Sequence, residues 1–440
     1  MIGSAKMMFK LGSVSTTMGT MSFRVDYPEA GTFTLPIDDG SGGASGFVFN
    51  FTVDWGDGSI STVITYDDPN AVHTYADAGT YDVTMTGTCE LFSFNGPGGV
   101  DYDKPVALLG FTGDIGLVHL DFAGCLNLAT VVPLGTKAFL TDAATMFSGT
   151  GISEVPVHMF DGCPGITSFY AVFLSCLNLT DLPTGLFRYN TLVTDFSSAF
   201  YSCINLAVLP IDLFHYNTAA TDFTSTFTDC ENLTVIPDGI FDCNTEVTDF
   251  ESTFSSCRSL AALPTGLFRY NTHVTNFTAV FGGCNSLVAL PVDIFCYNAA
   301  VTEFLYAFSG CTGLSSLPTD IFRYNTLAAS FRDVFNGCGS LASLPVGIFD
   351  YNTIATDMNG VFWGCSSIAQ DIPGDIFKNC LVLTDFSNAF NGCSGLTGSG
   401  WNTIINWTTQ EGHAGPVATA GCFNDCTSLT DYASIPAGWK

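Results

Sequence analysis

Cysteine and histidine are the side chains in this sequence best suited to nucleophilic or metal chemistry, and their spacing argues against both. The six histidines are His73, His119, His158, His215, His273 and His413. None stands in an H-E-x-x-H pattern, and none has a second ligand at metal spacing. No G-x-S-x-G elbow is present. Cysteine occurs seventeen times, a count that ordinarily points to disulfides or metal sites. Yet Cys176, Cys203, Cys230, Cys257, Cys284, Cys311, Cys338 and Cys365 recur every 27 residues, and Cys393 follows after 28, because "AQDIPGD" carries one residue more. Cys125, Thr150 and Cys426 hold the same place in less regular copies. Ligands strung along a spine cannot converge on a zinc ion. Disulfides between neighbours would need suitable geometry and an oxidising setting. The expectation is a structural column of buried, apolar thiols. Cys243, Cys296 and Cys380 lie off it, near a turn, and are expected to be partly exposed. No Cys–His pairing is suggested by the period. Two carboxylates could meet across repeats as in a glycosidase, but nothing marks a pair. No catalytic residue, metal or cofactor is expected, and the chain is not expected to be an enzyme.

A second constellation suits binding rather than catalysis. The phrase "FRYN" and its variants place Tyr189, Tyr216, Tyr270, Tyr297, Tyr324 and Tyr351 in one column, and Asn190, Asn217, Asn271, Asn298, Asn325 and Asn352 in the next. Arg188, Arg269 and Arg323, with His215, precede them. A line of aromatic rings and guanidinium groups could stack on sugars or grip a protein. The plainer alternative is that Asn satisfies backbone groups at each turn and Tyr covers the repeat below. For Asn the plainer role is favoured; for Tyr and Arg the two stand even.

The elements that position these columns follow from the repeat. A fixed period of 20 to 50 residues marks a solenoid. One coil reads C-x-x-L-x-x-L-P-x-x-(I/L)-F-x-Y-N-T-x-V-T-x-F-x-x-x-F-x-x-C, and about twelve run from near residue 106 to the C-terminus. Phe196, Ala199, Phe200 and Cys203 fall at i, i+3, i+4 and i+7, which predicts a short amphipathic helix over 193–203. Thr194 stands at its N-cap position and Asp195 in its first turn. The stretch around Leu179 and Leu182 predicts a short strand ended by Pro183. A coil's six or seven apolar side chains bring roughly 1.5–3 kcal/mol each on burial, while ordering its backbone costs roughly 1–2 kcal/mol per residue. Stacking is therefore obligatory and the ends need caps. The interrupted stretch 401–440 is expected to be the C-terminal cap.

The front of the chain carries a different pattern. Around "FNFTVDWGDGSI" and "AVHTYADAGTYDVTMTG", apolar and polar residues alternate about Gly-Asp-Gly turns, as in a half-exposed antiparallel sheet. Asp54, Asp57 and Asp77 suit turn capping more than calcium. "DDGSGGASG" reads as a hairpin loop and not a phosphate cradle, since no P-loop Lys follows. The expected division is an attachment segment 1–22, a β-sandwich 23–95, a Gly- and Pro-bearing linker 96–105, and the solenoid 106–400 with its cap. The 440 residues carry a net charge of −29, which argues against nucleic acid and anionic membranes. No apolar run is long enough to span a bilayer. The first residues lack the continuous apolar stretch of a secretory signal, so synthesis and retention in the cytoplasm, or release by lysis, is expected if Met1 is native.

Two resemblances sharpen this. Trp55-Gly56-Asp57-Gly58, His73-Thr74-Tyr75 and Gly79-Thr80-Tyr81-Asp82-Val83-Thr84 resemble the polycystic kidney disease (PKD) type of immunoglobulin-like domain. That resemblance implies a spacer or adhesion module with Trp and Tyr in the core. "VTDFSSAFYSCINL" and "VTDFESTFSSCRSL" resemble the BspA-like leucine-rich repeats, with Phe where that family prefers Met and an added L-P-x-x-(I/L)-F-x-Y-N turn. This second resemblance implies an α/β solenoid of leucine-rich-repeat type and a surface-exposed adhesion or recognition protein. Together the two look most like a bacteriophage virion protein, such as a tail fibre or other appendage. Its partners would be other virion proteins through the N-terminal part and a host-surface glycan or protein through the solenoid, with a second copy of the chain a further candidate. The alternatives are a bacterial cell-surface adhesin and a purely structural decoration.

Overall fold

The computed structural model describes residues 18–38, 46–95, 101–400 and 417–440. Most of the attachment segment 1–22, the tip of the 38–46 loop, half of the linker and the start of the 401–440 cap lie outside the described residues.

Alternation builds the front. The strands are β1 (Thr20–Tyr27), β2 (Gly31–Thr34), β3 (Phe49–Asp54), β4 (Ile60–Val63), β5 (Val72–Tyr75), β6 (Gly79–Cys89), β7 (Leu91–Ser93), β8 (Pro105–Thr112) and β9 (His119–Asp121). A five-stranded antiparallel sheet runs in the order β4-β3-β6-β1-β8. The β2–β5 pair is separate from it. In β3, Phe49, Phe51 and Val53 point inward while their neighbours face water, the period-2 pattern of a half-buried strand. Phe23 of β1 packs on Phe33 of β2 at 5.9 Å and on Phe92 of β7 at 5.3 Å. Trp55 and Tyr75 are fully buried, and the Tyr75 hydroxyl donates to the Trp55 carbonyl at 2.9 Å. Gly56, at φ +82°, could not be another residue: a Cβ there would lie 2.8 Å from the Asp82 backbone. Asp54 and Asp57 accept the backbone N–H groups of Gly56 and Ser59, and Asp57 also meets His73 Nε2 at 2.8 Å. Both carboxylates are thus engaged in the turn.

The front sheet and the solenoid share a strand. β8, which begins at the expected linker's end, closes the front sheet against β1. Its other edge meets the first coil, where Leu108 N–H donates to Thr130 O at 2.8 Å and Ala107 bridges Thr130 in parallel. One continuous hydrophobic core runs from Met21 to Ile435.

The coils themselves correct the α/β expectation: residues 101–399 contain no α-helix. The segment 193–203 buries the four residues its periodicity marks, Phe196, Ala199, Phe200 and Cys203, all at 0% exposure. Its backbone is nevertheless not helical. The N–H groups of Phe196, Ser198, Phe200 and Ser202 donate to Asp222, Thr224, Thr226 and Thr228 of the next coil, at 2.8–3.0 Å. Ser198 and Ser202 have φ +55° and +56°, a left-handed conformation incompatible with a right-handed helix. The intervening N–H groups of Ala199, Tyr201 and Cys203 close tight turns three residues back. Alternate donors thus serve the neighbouring coil and the local turn, which leaves none for an i−4 ladder. The two left-handed positions recur in other coils as Ser225 and Asp229, Ala279 and Gly283, or Gly360 and Gly364.

Thr194 does not cap a helix. Its N–H donates to Thr167 O of the coil below, and the Thr221 hydroxyl donates in turn to Thr194 O. Asp195 takes the capping role through an Asx turn, accepting Ser197 N–H at 2.8 Å. Asp222, Asp249, Asp357 and Asp385 repeat that turn. Each coil touches the next there through a single parallel β-bridge, as in Asp195↔Asp222.

Phenylalanine fills the interior in three stacked lines. Phe200 lies 5.5 Å from Phe227 at an interplanar angle of 3°, Phe196 5.5 Å from Phe223 at 5°, and Phe187 6.2 Å from Phe214 at 6°. Rings of different lines meet steeply, Phe196 and Phe214 at 4.8 Å and 61°, a geometry aromatic quadrupoles favour. The Phe200 line runs on to Phe423, where Trp439 stacks at 6.3 Å and closes the end.

Candidate functional site: an aromatic and basic rim

The turn after each L-P step decides what the rim displays. In the coil containing His215-Tyr216-Asn217, Phe214 is buried, Tyr216 faces out and Asn217 turns back in. The asparagine column is structural. Asn217 Nδ2 donates to Asn190 O at 2.8 Å and to Phe187 O at 3.2 Å, both in the coil below. The same double bond recurs at Asn190, Asn271, Asn298, Asn325 and Asn352. It recurs also at Asn244, hidden from the sequence pattern because Cys243 replaces the tyrosine before it. The amides bridge successive coils instead of capping their own turns.

The thiol column works in parallel. Cys176, Cys203, Cys230, Cys257, Cys284, Cys311, Cys338, Cys365 and Cys393 are all fully buried. Each sulfur donates to a carbonyl below, as Cys203 does to Phe173 O at 3.1 Å and Cys257 to Phe227 O at 3.2 Å. Burial pushes these thiols up, to about 12 for Cys176 and Cys311, and so holds them protonated. Cys380 departs from expectation: it is buried and occupies the asparagine position of its coil. Cys243 and Cys296 are half-buried, as their place near the turn suggested.

What remains on the outside is the aromatic column. Tyr189, Tyr216, Tyr270, Tyr297, Tyr324 and Tyr351 are 44–51% exposed. The guanidinium of Arg188 lies 4.5 Å above the Tyr189 ring and donates to its hydroxyl at 2.6 Å. Arg269 sits 4.9 Å over Tyr270 and bonds Asp242 of the coil below, which raises its already high pKa further. Arg323 lies 5.8 Å over Tyr324 and 5.1 Å over Tyr351, and pairs with Asp320 at 3.6 Å. The structure therefore brings the predicted tyrosines and arginines together on one rim. It also neutralises two of the three arginines with carboxylates, so the rim is aromatic and amphipathic more than it is cationic.

Among the described residues no three His, Cys, Asp or Glu side chains gather to hold a metal ion. No helix among them is long and apolar enough to cross a membrane.

The family model described as "Mycoplasma protein of unknown function, DUF285" matches three overlapping stretches, 167–293, 248–375 and 275–401, which together span just over half of the sequence. No curated protein matches it significantly. Among solved structures, a chain of the Drosophila Toll–Spätzle complex is 19% identical over 64% of this chain and 35% of its own, with a TM-score of 0.42. A chain of the TLR13–ssRNA13 complex is 12% identical over 72% of this chain and 48% of its own, at 0.22. A leucine-rich cell-surface protein of Faecalibacterium prausnitzii is 17% identical over 62% and 79%, at 0.18. The chain thus spans roughly a third to a half of the Toll and TLR13 chains, and TM-scores this low carry no inference about its function.

Proposed function

Because the chain belongs to the DUF285 family, a repeat family of BspA-like kind, we propose that it is a non-enzymatic recognition rod. It binds a surface glycan or protein through the tyrosine rim of its solenoid. The observation that carries this is the column of six half-exposed tyrosines between residues 189 and 351, one in every coil there except that of Cys243. Core packing does not require them, since Phe fills the interior and Asn holds the turn. Rings held at a fixed repeat by a rigid backbone lose little entropy on binding. The arginines, already stacked and paired, orient the rings and add hydrogen-bond donors for an uncharged or amphipathic partner. The net charge of −29 disfavours a polyanion.

The finer proposal is that the rod is an exposed appendage of a phage particle, its PKD-like front the end that attaches. Detection of the protein in purified particles tests the location. Glycan-array and whole-cell binding test the activity. Tyr270→Ala combined with Tyr324→Ala should abolish binding while leaving the melting temperature in place, because neither side chain is buried. Unchanged affinity in that variant removes the rim as the binding surface.

A further inference from the structure

One rim position breaks the tyrosine column with a nucleophile. Cys243 stands where its neighbours carry Tyr216 and Tyr270, and its sulfur lies 3.4 Å from Nδ1 of His215 in the coil below. The column thiols lie deep in the core, each bonded to a carbonyl. Cys243 is half-buried and meets an imidazole that is itself exposed. Among the described residues no imidazole bonds the other half-buried thiol, Cys296, and Tyr297 follows it on the rim. Beside Cys243 stand the imidazole of His215 and the carboxylate of Asp242, which the next coil's Arg269 binds. A thiol within hydrogen-bonding reach of an imidazole, open to solvent on one side, is the arrangement that supports thiolate chemistry.

We propose that Cys243 and His215 form an exchange-competent pair that takes small-molecule disulfides of the glutathione or cystine class. The thiol proton moves to His215 Nδ1, which requires the tautomer protonated at Nε2. The thiolate attacks one sulfur of the disulfide. The bond from Cys243 to that sulfur forms as the original S–S bond breaks. The leaving thiolate takes the proton back from the imidazolium. Cys243 is oxidised to a mixed disulfide and the small disulfide is reduced to one thiol, so no further oxidant is needed. The modification would seat a polar adduct between Tyr216 and Tyr270, in the middle of the aromatic column. This inference does not depend on what the rim binds.

The test uses the folded full-length chain and an aromatic disulfide, 5,5′-dithiobis(2-nitrobenzoate), with release of the coloured thiolate as readout. One equivalent should react in a fast phase, and peptide mapping of the labelled wild-type protein should place it at Cys243. Cys243→Ser removes that phase and Cys296→Ser retains it. His215→Gln keeps the stoichiometry but slows the phase by about a hundredfold, the lower end for loss of a general base, and moves its pH profile to that of an ordinary thiol. Circular dichroism checks that each variant is folded. A fast label mapped elsewhere overturns the proposal, as does a His215→Gln rate and pH profile equal to wild type.

Discussion

Asn271 offers the sharpest probe of how the coils are held together. Its amide donates to Asn244 O at 2.8 Å and Phe241 O at 3.2 Å, and its side chain is fully buried. Its own Oδ1 has no hydrogen-bond partner. Asn271→Ala removes two hydrogen bonds, at about 0.5–1.5 kcal/mol each, from carbonyls that keep the turn N–H groups of Asn244 and Val247; the small cavity it leaves offsets the relief of the orphaned acceptor. The net loss is about 1–3 kcal/mol, confined to the interface between the coils of Asn244 and Asn271. The next coil's Asn298 bonds the Asn271 backbone carbonyl, which the substitution leaves in place. Asn271→Asp has nearly the same shape but, when ionised, aims acceptors at acceptors and should lose more than the alanine variant. Because burial would raise that carboxyl above its unfolded pKa, the aspartate variant should recover as pH falls and lose stability as pH rises through the folded value. Urea midpoints together with native-state amide exchange around 241–274 read the effect. The bridging role is refuted if both variants stay within about 0.5 kcal/mol of wild type, the range of an unremarkable surface change, or if alanine costs more than aspartate.

Two further outcomes follow from the columns. The buried thiols have folded pKa values above their unfolded ones, so their stabilisation is complete below the unfolded value near 8.5 and lost as pH rises beyond it, by about 1.4 kcal/mol per pH unit for each thiol. Urea stability measured from pH 8 to 11 should fall steeply, and Cys257→Ala should lower the slope by one proton; a flat profile contradicts thiols held neutral by burial. Gly310, at φ +73°, occupies a position that other coils fill with Ser202 or Asp229. Gly310→Asn should melt close to wild type, whereas Gly310→Val should lose about 1–2 kcal/mol or more, and equal melting temperatures would deny that the left-handed conformation is needed.

The 27-residue period disclosed the solenoid, and the burial of Phe196, Ala199, Phe200 and Cys203 was legible in their spacing. The conformation that buries them was not. An i, i+3, i+4, i+7 pattern reports which side chains face inward, and alternating left- and right-handed turns satisfy it as well as a helix does. The contrary signal was present in the Gly, Ser and Asp residues that recur one position before the cysteine, types that tolerate positive φ. Residue type favoured a backbone role for the turn asparagines and left the tyrosines evenly divided between covering the coil below and facing a partner. That the amide reaches the coil below was not legible, because a single turn cannot show what lies under it. Cys380 misled for the same reason: its position in the turn suggested exposure, but the ladder draws it in. The Cys243–His215 contact was missed because it joins unlike positions, the tyrosine place of one coil and the arginine place of the one before.

The coil between Cys365 and Cys393 is one residue longer than its neighbours, yet the bridge Asp357↔Asp385 and the contact of Phe362 with Phe390 at 5.6 Å survive. The surplus is absorbed around Gln370, whose side chain donates to Leu344 O. A junction therefore needs only the bridge and the ring stack to form, and it accepts a winding of a different length.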